Sequence, residues 1–132
     1  VQDYFKVAND AIRVAVQIDA PRALGLVDAI AGWDGVDSVF LGPGDLSGAM
    51  GHVGNLMHQE VVDAMAKATA RCHAAGKPVG SVAGTPEAVA IYRGIGIDYI
   101  GCASDLGLMM RQCAAVLASI RSQQVHVNTA GY

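Results

Sequence analysis

The sequence Val-Phe-Leu-Gly-Pro-Gly-Asp-Leu-Ser occupies residues 39–47. Its apolar start predicts a buried strand. The Gly-Pro-Gly that follows predicts a tight turn, because glycine permits positive φ and proline fixes its own φ and restricts the residue before it. The turn leaves the carboxylate of Asp45 at the strand end, where the N–H groups of Gly44 and Asp45 can donate to a bound carboxylate. This pattern is typical of an active site built at the end of a strand.

The overall composition predicts one folded domain that binds neither nucleic acid nor membrane. Of the 132 residues, 52% are hydrophobic, which is ample for a core, and the net charge is −3. Such a charge gives no basic stripe to neutralise phosphates, and the apolar runs are too short to span a bilayer. The three cysteines are scattered and the N-terminus lacks secretory features, so we expect a cytoplasmic protein. We expect Cys72, Cys102 and Cys113 to be small buried residues.

Working outward from residues 39–47, the chain repeats a strand followed by a helix. Near-continuous apolar strands joined by helices favour a parallel α/β sheet. A three-layer fold is an alternative, but the Gly-, Ser-, Asp- and Pro-rich loops after the strands favour part of a TIM (β/α)8 barrel. Strands are predicted at residues 12–19, 36–41, 78–83 and 99–103. Helices are predicted at residues 22–31, 60–75, 86–94 and 106–121, and Ser104 or Asp105 is expected to cap the start of the last one.

The remaining segments complete the predicted organisation. Residues 1–10 are expected to form a joint with a turn at its end, and residues 42–57 a long functional loop. We assign residues 1–121 to the half-barrel and 122–132 to a polar tail. A full barrel takes about 250 residues, so this chain predicts roughly half of one. Half a barrel exposes its inner face and two sheet edges, which an N-terminal half or a second copy must close.

The most specific candidate site is the pair Asp19 and Asp45. Each follows one of two successive strands, which usually lie side by side about 4.8 Å apart, so the two carboxylates can converge. Two carboxylates with open positions suit Mg²⁺ or Mn²⁺, which can accept two oxygens from a 2-oxo acid. Such an ion polarises the ketone and stabilises an enolate. The alternative is that both acids serve only as helix N-caps.

Gln17 lies two residues before Asp19 and therefore faces the same side of its strand. Its amide can donate to a bound carboxylate. The equally simple alternative is a polar residue satisfied within the interior of the barrel.

Several motifs resemble the C-terminal half of the HpcH/HpaI aldolases, in the same order from about residue 9 to residue 121. The most specific is the Gly-Pro-x-Asp-Leu motif of residues 42–46. The others are residues 17–19, 27–31, 35–47, 50–55, 75–78 and 104–107.

This resemblance implies a class II, divalent-metal-dependent aldolase of pyruvate-derived 2-oxo acids, using Mg²⁺, Mn²⁺ or Co²⁺. It implies that Asp45 is a metal ligand and that Asp19 stands where the family usually has a metal-binding Glu. Gln17 and the Gly44 and Asp45 amides would hold the pyruvate moiety. It also implies a hexamer in which the last helix packs between subunits, so we expect a homo-oligomer or pairing with an N-terminal half.

Two departures qualify this resemblance. Asp is one methylene shorter than Glu, and the family's pyruvate-binding Arg and acid/base His belong to the N-terminal half. No residue here replaces them convincingly: Arg13 is expected at the opposite strand end, and Arg22 to be exposed. His52 can approach substrate or a neighbouring subunit, or simply bond backbone, while His58 and Glu60 are expected to serve a helix N-terminus.

The sequence therefore predicts a carbon–carbon lyase that cleaves a 4-hydroxy-2-oxo acid into pyruvate and an aldehyde. From a different class, a non-catalytic half-barrel serving in assembly or interaction is the alternative. A third interpretation is a lyase that acts on CoA thioesters. It lacks support because the sequence shows no basic patch that would bind the nucleotide of CoA. No dinucleotide fingerprint or phosphate loop is present.

Overall fold

The computed structural model describes residues 3–127, with side chains described as far as residue 122. The chain divides into two units, Val1–Cys102 and Ala103–Tyr132, and the second consists of one described helix. Among the described residues, every helix is too short or too polar to cross a bilayer.

Four strands and six helices form the first unit. The strands are β1 (Ala15–Ile18), β2 (Ser38–Leu41), β3 (Val79–Val82) and β4 (Tyr99–Gly101). The helices are α1 (Tyr4–Ala11), α2 (Pro21–Gly25), α3 (Val27–Ala31), α4 (Pro43–Ala49), α5 (Gln59–Ala74) and α6 (Pro86–Gly94), and the second unit contains α7 (Asp105–Val127).

The four strands form one parallel sheet in the order β1-β2-β3-β4. In its register, Ile18 pairs with Leu41, and Leu41 with Ser81. Because all four strands are parallel, their carboxyl ends meet at one edge of the sheet. The predicted parallel α/β architecture is confirmed, and each loop that follows a strand begins at this edge.

One face of the sheet carries the hydrophobic core. Ile18, Leu41 and Val79 on the strands are fully buried, as are Met65 of α5 and Tyr92 of α6. Fully burying an aliphatic side chain contributes about 1.5–3 kcal/mol, so this face holds the helices on the sheet.

The opposite face is more open. The register aligns Gln17, Phe40, Gly80 and Tyr99 in one row across the four strands. The rings of Phe40 and Tyr99 lie 6.1 Å apart, and the Tyr99 ring lies over Gly80, which has no side chain to obstruct it. The Tyr99 hydroxyl is 3.1 Å from the hydroxyl oxygen of Ser38. In a closed (β/α)8 barrel this is the face that turns inward.

The structure corrects several local predictions. The expected joint before the first strand is helix α1, and the helix expected over 22–31 is divided into α2 and α3 at Leu26. The expected loop 42–57 begins with α4, so only its second part is irregular. Of the three cysteines, Cys72 is buried as predicted, but the prediction is wrong for Cys102 and Cys113, which are exposed.

Helix α7 begins at Asp105, and the hydroxyl of Ser104 accepts the Gly107 N–H at 3.1 Å. Ser104 is therefore the N-cap, and Asp105 is the first helical residue. The helix continues to Val127, beyond its predicted end at residue 121. Residues 128–132 of the predicted tail lie outside the described residues.

Candidate active site

Asp19 lies immediately after β1, beside the first residue of the turn that follows β2. The Gly42 N–H donates to the Ile18 carbonyl at 3.1 Å, which continues the sheet pairing by one step. The Asp19 carboxylate packs against the α-carbon of Gly42 so closely that a β-carbon at residue 42 would collide with Oδ1 of Asp19. Glycine is therefore required at residue 42 because the backbone of one strand end accommodates the acid of its neighbour.

Asp45 lies in the first turn of α4. Gly42 is the N-cap and Pro43 the first helical residue, where the fixed φ of proline suits a helix start. The first backbone bond runs from the Leu46 N–H to the Gly42 carbonyl, and a glycine N-cap has no side chain to bind the N–H groups of the first turn. The N–H groups of Gly44 and Asp45 therefore lack intrahelical acceptors, as expected at a helix start.

Two buried serines hold this turn in place. Ser47 donates its hydroxyl to the Gly44 carbonyl at 2.7 Å, and Ser81 of β3 donates to the Leu41 carbonyl at 2.9 Å. Both serines are fully buried. Because each hydroxyl satisfies a carbonyl at or beside the end of β2, they fix the position from which Asp45 projects.

Gln17 is the polar neighbour of Asp19. Its amide nitrogen donates to Oδ1 of Asp19 at 2.9 Å. This contact orients the Asp19 carboxylate, and the same amide group carries a second N–H that can donate to another acceptor. Gln17 is exposed on the open face of the sheet, whereas Asp19 is half-buried.

Asp19, Asp45, Gln17 and Gly44 therefore all belong to the carboxyl edge of β1 and β2 or to the first turn beyond it. Whether the two carboxylates share an ion stays a prediction. Arg13 and Arg22, the two arginines considered as replacements for the family's pyruvate-binding Arg, do not join this group of residues. Arg13 pairs with Asp37 at 3.2 Å, before the starts of β1 and β2 and thus at the opposite edge. Arg22 is exposed in α2.

A second polar cluster lies in the connection from α4 to α5. The imidazole Nε2 of His52 is 2.8 Å from Oε2 of Glu60, and the rings of His52 and His58 are stacked with centroids 3.5 Å apart. Nδ1 of His58 accepts the Glu60 N–H at 3.3 Å, which confirms that His58 serves the start of α5. The hydrogen bond from His52 holds the pKa of Glu60 below its ordinary value.

Two further contacts of charged side chains support the fold. The guanidinium of Arg71 makes two hydrogen bonds to the Asp28 carboxylate, at 2.8 and 2.7 Å, and these lower the pKa of Asp28. Asp98 accepts from the Val79 N–H at 2.7 Å and from His73 at 2.8 Å, and the backbone bond is the main reason that its pKa is lowered. These pairs join helices α3 and α5 and fix the start of β3.

Sequence reasoning missed three contributors to this edge of the sheet. Ser47 and Ser81 looked like ordinary strand and turn residues, although a serine within an otherwise apolar strand signals a buried carbonyl that needs a donor. Glu60 was expected only to favour a helix start, and its contact with His52 depends on a loop conformation that residue spacing does not reveal.

The relatives of this chain agree with the architecture. It is 40% identical over 121 residues to the 2-dehydro-3,6-dideoxy-6-sulfogluconate aldolase of Pseudomonas putida, an alignment that covers 92% of this chain and 48% of that protein. It is 41% identical over 108 residues to the 5-keto-4-deoxy-D-glucarate aldolase of Citrobacter koseri, covering 82% and 42% respectively. The chain thus spans about half the length of these curated relatives.

A solved structure shows the same fold. The crystal structure of an HpcH/HpaI aldolase/citrate lyase family protein from Burkholderia cenocepacia superposes with a TM-score of 0.82 at 36% identity, covering 91% of this chain and 47% of that one. The four parallel (β/α) units therefore correspond to about half of a TIM-barrel-like structure. The family model for HpcH/HpaI aldolase/citrate lyase matches residues 2–112. From the parallel sheet, the relatives and this match, we conclude that the chain belongs to the HpcH/HpaI aldolase/citrate lyase family.

Proposed function

We propose that this chain supplies the metal-binding half of a carbon–carbon lyase that cleaves 4-hydroxy-2-oxo acids into pyruvate and an aldehyde. The single observation that carries the proposal is the contact of the Asp19 carboxylate with Gly42, one turn before Asp45. The curated relatives are named as aldolases of sugar-derived acids, which supports the reaction type.

The residues present fit a hard divalent ion such as Mg²⁺, Mn²⁺ or Co²⁺. Asp19 and Asp45 offer carboxylate oxygens, the donors that such ions prefer. The absence of a β-carbon at Gly42 gives the Asp19 carboxylate room beside the turn that carries Asp45. We assign the ion to these two residues. When bound, it would polarise the ketone of the 2-oxo acid and stabilise the negative charge left by carbon–carbon cleavage.

The chain's other residues would position the substrate. The Gly44 and Asp45 N–H groups point out of the first turn of α4, where a helix start favours an anion, so we assign them to the substrate carboxylate. Gln17 holds Asp19 through one N–H at 2.9 Å, and we assign its second N–H to the same carboxylate. Ser47 keeps the Gly44 carbonyl fixed, which maintains the geometry of this turn.

Proton transfer requires an acid/base group, and we assign none among the described residues of this half. In the family that the chain belongs to, the Arg that binds pyruvate and the His that moves the proton are expected from the other half of the barrel. We therefore propose that full activity needs residues of that other half, either from a longer protein or from another chain.

A chimaera tests this proposal. The part of the Pseudomonas putida aldolase that precedes the matched region is joined to this chain, and pyruvate release from a 4-hydroxy-2-oxo acid is followed while Mn²⁺ is titrated. We expect turnover that depends on Mn²⁺ and falls by at least about a hundredfold in the Asp45→Asn chimaera, because one of two protein ligands is lost. Gly48→Ala is the matched control in the same helix, since a β-carbon there meets nothing within 4 Å.

Two results would count against the proposal. A folded chimaera whose turnover is unaffected by Asp45→Asn would remove Asp45 from the site. A folded chimaera that binds no Mn²⁺ and releases no pyruvate would favour the alternative, a non-catalytic half-barrel that serves in assembly.

A further inference from the structure

His52, His58 and Glu60 form a cluster that the proposed aldolase chemistry does not use. One ligand atom from each residue lies within 4.8 Å of the other two, and among the described residues this is the one group of three metal-ligating side chains so arranged. We propose that this cluster is a second cation site, specific for a transition-metal ion such as Zn²⁺, which links the loop after α4 to the start of α5.

The donor set argues for a transition metal and against Mg²⁺. Two imidazoles and one carboxylate suit Zn²⁺, Co²⁺ or Ni²⁺, whereas Mg²⁺ prefers oxygen ligands alone. Zinc binds nitrogen and oxygen at about 2.0–2.2 Å, so tetrahedral ligands lie about 3.3 Å from one another. His52 and Glu60 are already within that distance at 2.8 Å, and the widest separation in the cluster, at most 4.8 Å, needs to close by about 1.5 Å.

The loop is prepared for this arrangement by its own backbone. The His52 N–H donates to the Ser47 carbonyl at 2.7 Å, and the Asn55 N–H donates to the His52 carbonyl at 2.9 Å. Gly51 and Gly54 adopt φ of 86° and 78°, in the left-handed region that favours glycine. Because these features fix where His52 lies, little of the conformational cost of assembling three ligands remains to be met on binding.

Besides this closure, the orientation of the rings has to change. The rings of His52 and His58 are nearly parallel, with 12° between their planes, so their nitrogen lone pairs lie in separate planes. The χ2 torsion of histidine is broad, so one ring can rotate toward the other's ligand atom once the stacked rings, 3.5 Å apart, have separated. The competing contact of His58 is its 3.3 Å bond from the Glu60 N–H, which is long for a hydrogen bond and easily given up.

The location gives such an ion a structural consequence. The connection from β2 through α4 to α5 lies at the carboxyl edge of the sheet, as Asp19 and Asp45 do. The His52 side chain is 21% exposed and that of Glu60 is 68% exposed, so an ion can enter from solvent. A bound ion would fix the loop to α5 and stabilise the folded chain by mass action.

Isothermal titration calorimetry with ZnCl₂ tests the proposal on the full chain. The chain carries Asp19→Asn and Asp45→Asn, so that the proposed aldolase ion cannot contribute, together with Cys102→Ser and Cys113→Ser, because exposed thiolates also bind zinc. We expect one Zn²⁺ per chain, no competition by Mg²⁺, and affinity at least about tenfold lower after His52→Asn or Glu60→Gln. Replacing Zn²⁺ with Co²⁺ should give the visible absorption of a four-coordinate site.

His73→Asn is the matched control. His73 also contacts a carboxylate, that of Asp98 at 2.8 Å, but it joins no group of three metal-ligating side chains within the part of the chain that the structure describes. Its zinc affinity should equal that of the parent, with circular dichroism confirming that each variant is folded. The absence of one-to-one zinc binding by the folded parent would overturn the proposal. Equal loss of affinity in the His73 variant, or undiminished affinity in both cluster variants, would also overturn it.

Discussion

At the scale of single residues, the carboxyl edge of the sheet depends on small groups placed where a larger one would not fit. Gly42 accommodates the Asp19 carboxylate, and Ser81 satisfies the Leu41 carbonyl inside the core. Tyr92 is the exception: its ring is fully buried, but its hydroxyl has no hydrogen-bond partner among the described residues. Burial raises the pKa of Tyr92 to about 12 because the charged form would lose its hydration.

Tyr92→Phe should therefore raise the free energy of unfolding, by about 1 kcal/mol, because a buried hydroxyl without a partner is removed and the ring is kept. Urea unfolding followed by circular dichroism measures the effect. Tyr99→Phe is the control, since the Tyr99 hydroxyl contacts Ser38 and its loss should not stabilise the chain. A Tyr92→Phe variant less stable than Tyr99→Phe would show that the Tyr92 hydroxyl does have a partner.

At the scale of elements, the end of β1 and the start of α4 act together through one close contact. A β-carbon at residue 42 would displace the Asp19 carboxylate. If Asp19 is a metal ligand, as proposed, Gly42→Ala should lower Mn²⁺ affinity by at least about tenfold, measured by electron paramagnetic resonance, because its carboxylate is moved away. Gly48→Ala introduces the same methyl group in open space and should leave the affinity unchanged. Equal affinities in the two variants would mean that the position of Asp19 does not matter to the ion.

Asp98 gives the start of β3 a defined dependence on pH. Its pKa is lowered, first by the Val79 N–H and then by His73, so its stabilising contribution is complete above the unfolded pKa of about 3.9 and is lost as the pH falls below it. Between about pH 5 and pH 3 the wild type should therefore lose more stability than Asp98→Asn, as measured by urea unfolding at each pH. Parallel loss in both proteins would contradict this role.

Most elements could be predicted because local chemistry determines them. Thr85 accepts the Ala88 N–H and Pro86 begins α6, at the predicted first residue of that helix, and Gly76 after α5 has φ of 73°. Helix α4 was missed because its Gly-Pro-Gly start looks like a turn, and Pro43 in fact suits the first helical residue. The break between α2 and α3 at Leu26 was also missed. Gly25 is the only helix-disfavouring residue beside it, and the helical spacing of apolar residues continues across it, so the sequence predicted one helix.

At the scale of the whole molecule, the parallel order of strands could be predicted, and it brought Gln17, Asp19 and Asp45 to one edge of the sheet. The cluster of His52, His58 and Glu60 could not be predicted, because it depends on the path of an irregular loop. The chain spans about half the length of its curated relatives. The row of Gln17, Phe40 and Tyr99 on the open face is the surface that the other half of a barrel would cover.

We therefore expect the isolated chain to release pyruvate from a 4-hydroxy-2-oxo acid slowly or not at all, even with saturating Mn²⁺. The physical reason is that no arginine or proton-transferring histidine from the other half faces the proposed ion. A coupled assay with lactate dehydrogenase measures pyruvate directly. Rapid turnover by the isolated chain would show that its own residues complete the site.

The proposed ion site of Asp19 and Asp45 is tested most simply by Mn²⁺ binding, measured by electron paramagnetic resonance. The proteins compared are the wild type and the variants Asp19→Asn, Asp45→Asn and His52→Asn. If Asp19 and Asp45 hold one ion, either aspartate variant should bind at least about tenfold more weakly than the wild type, while His52→Asn should match it. Wild-type affinity in both folded aspartate variants would contradict the assignment of the metal site.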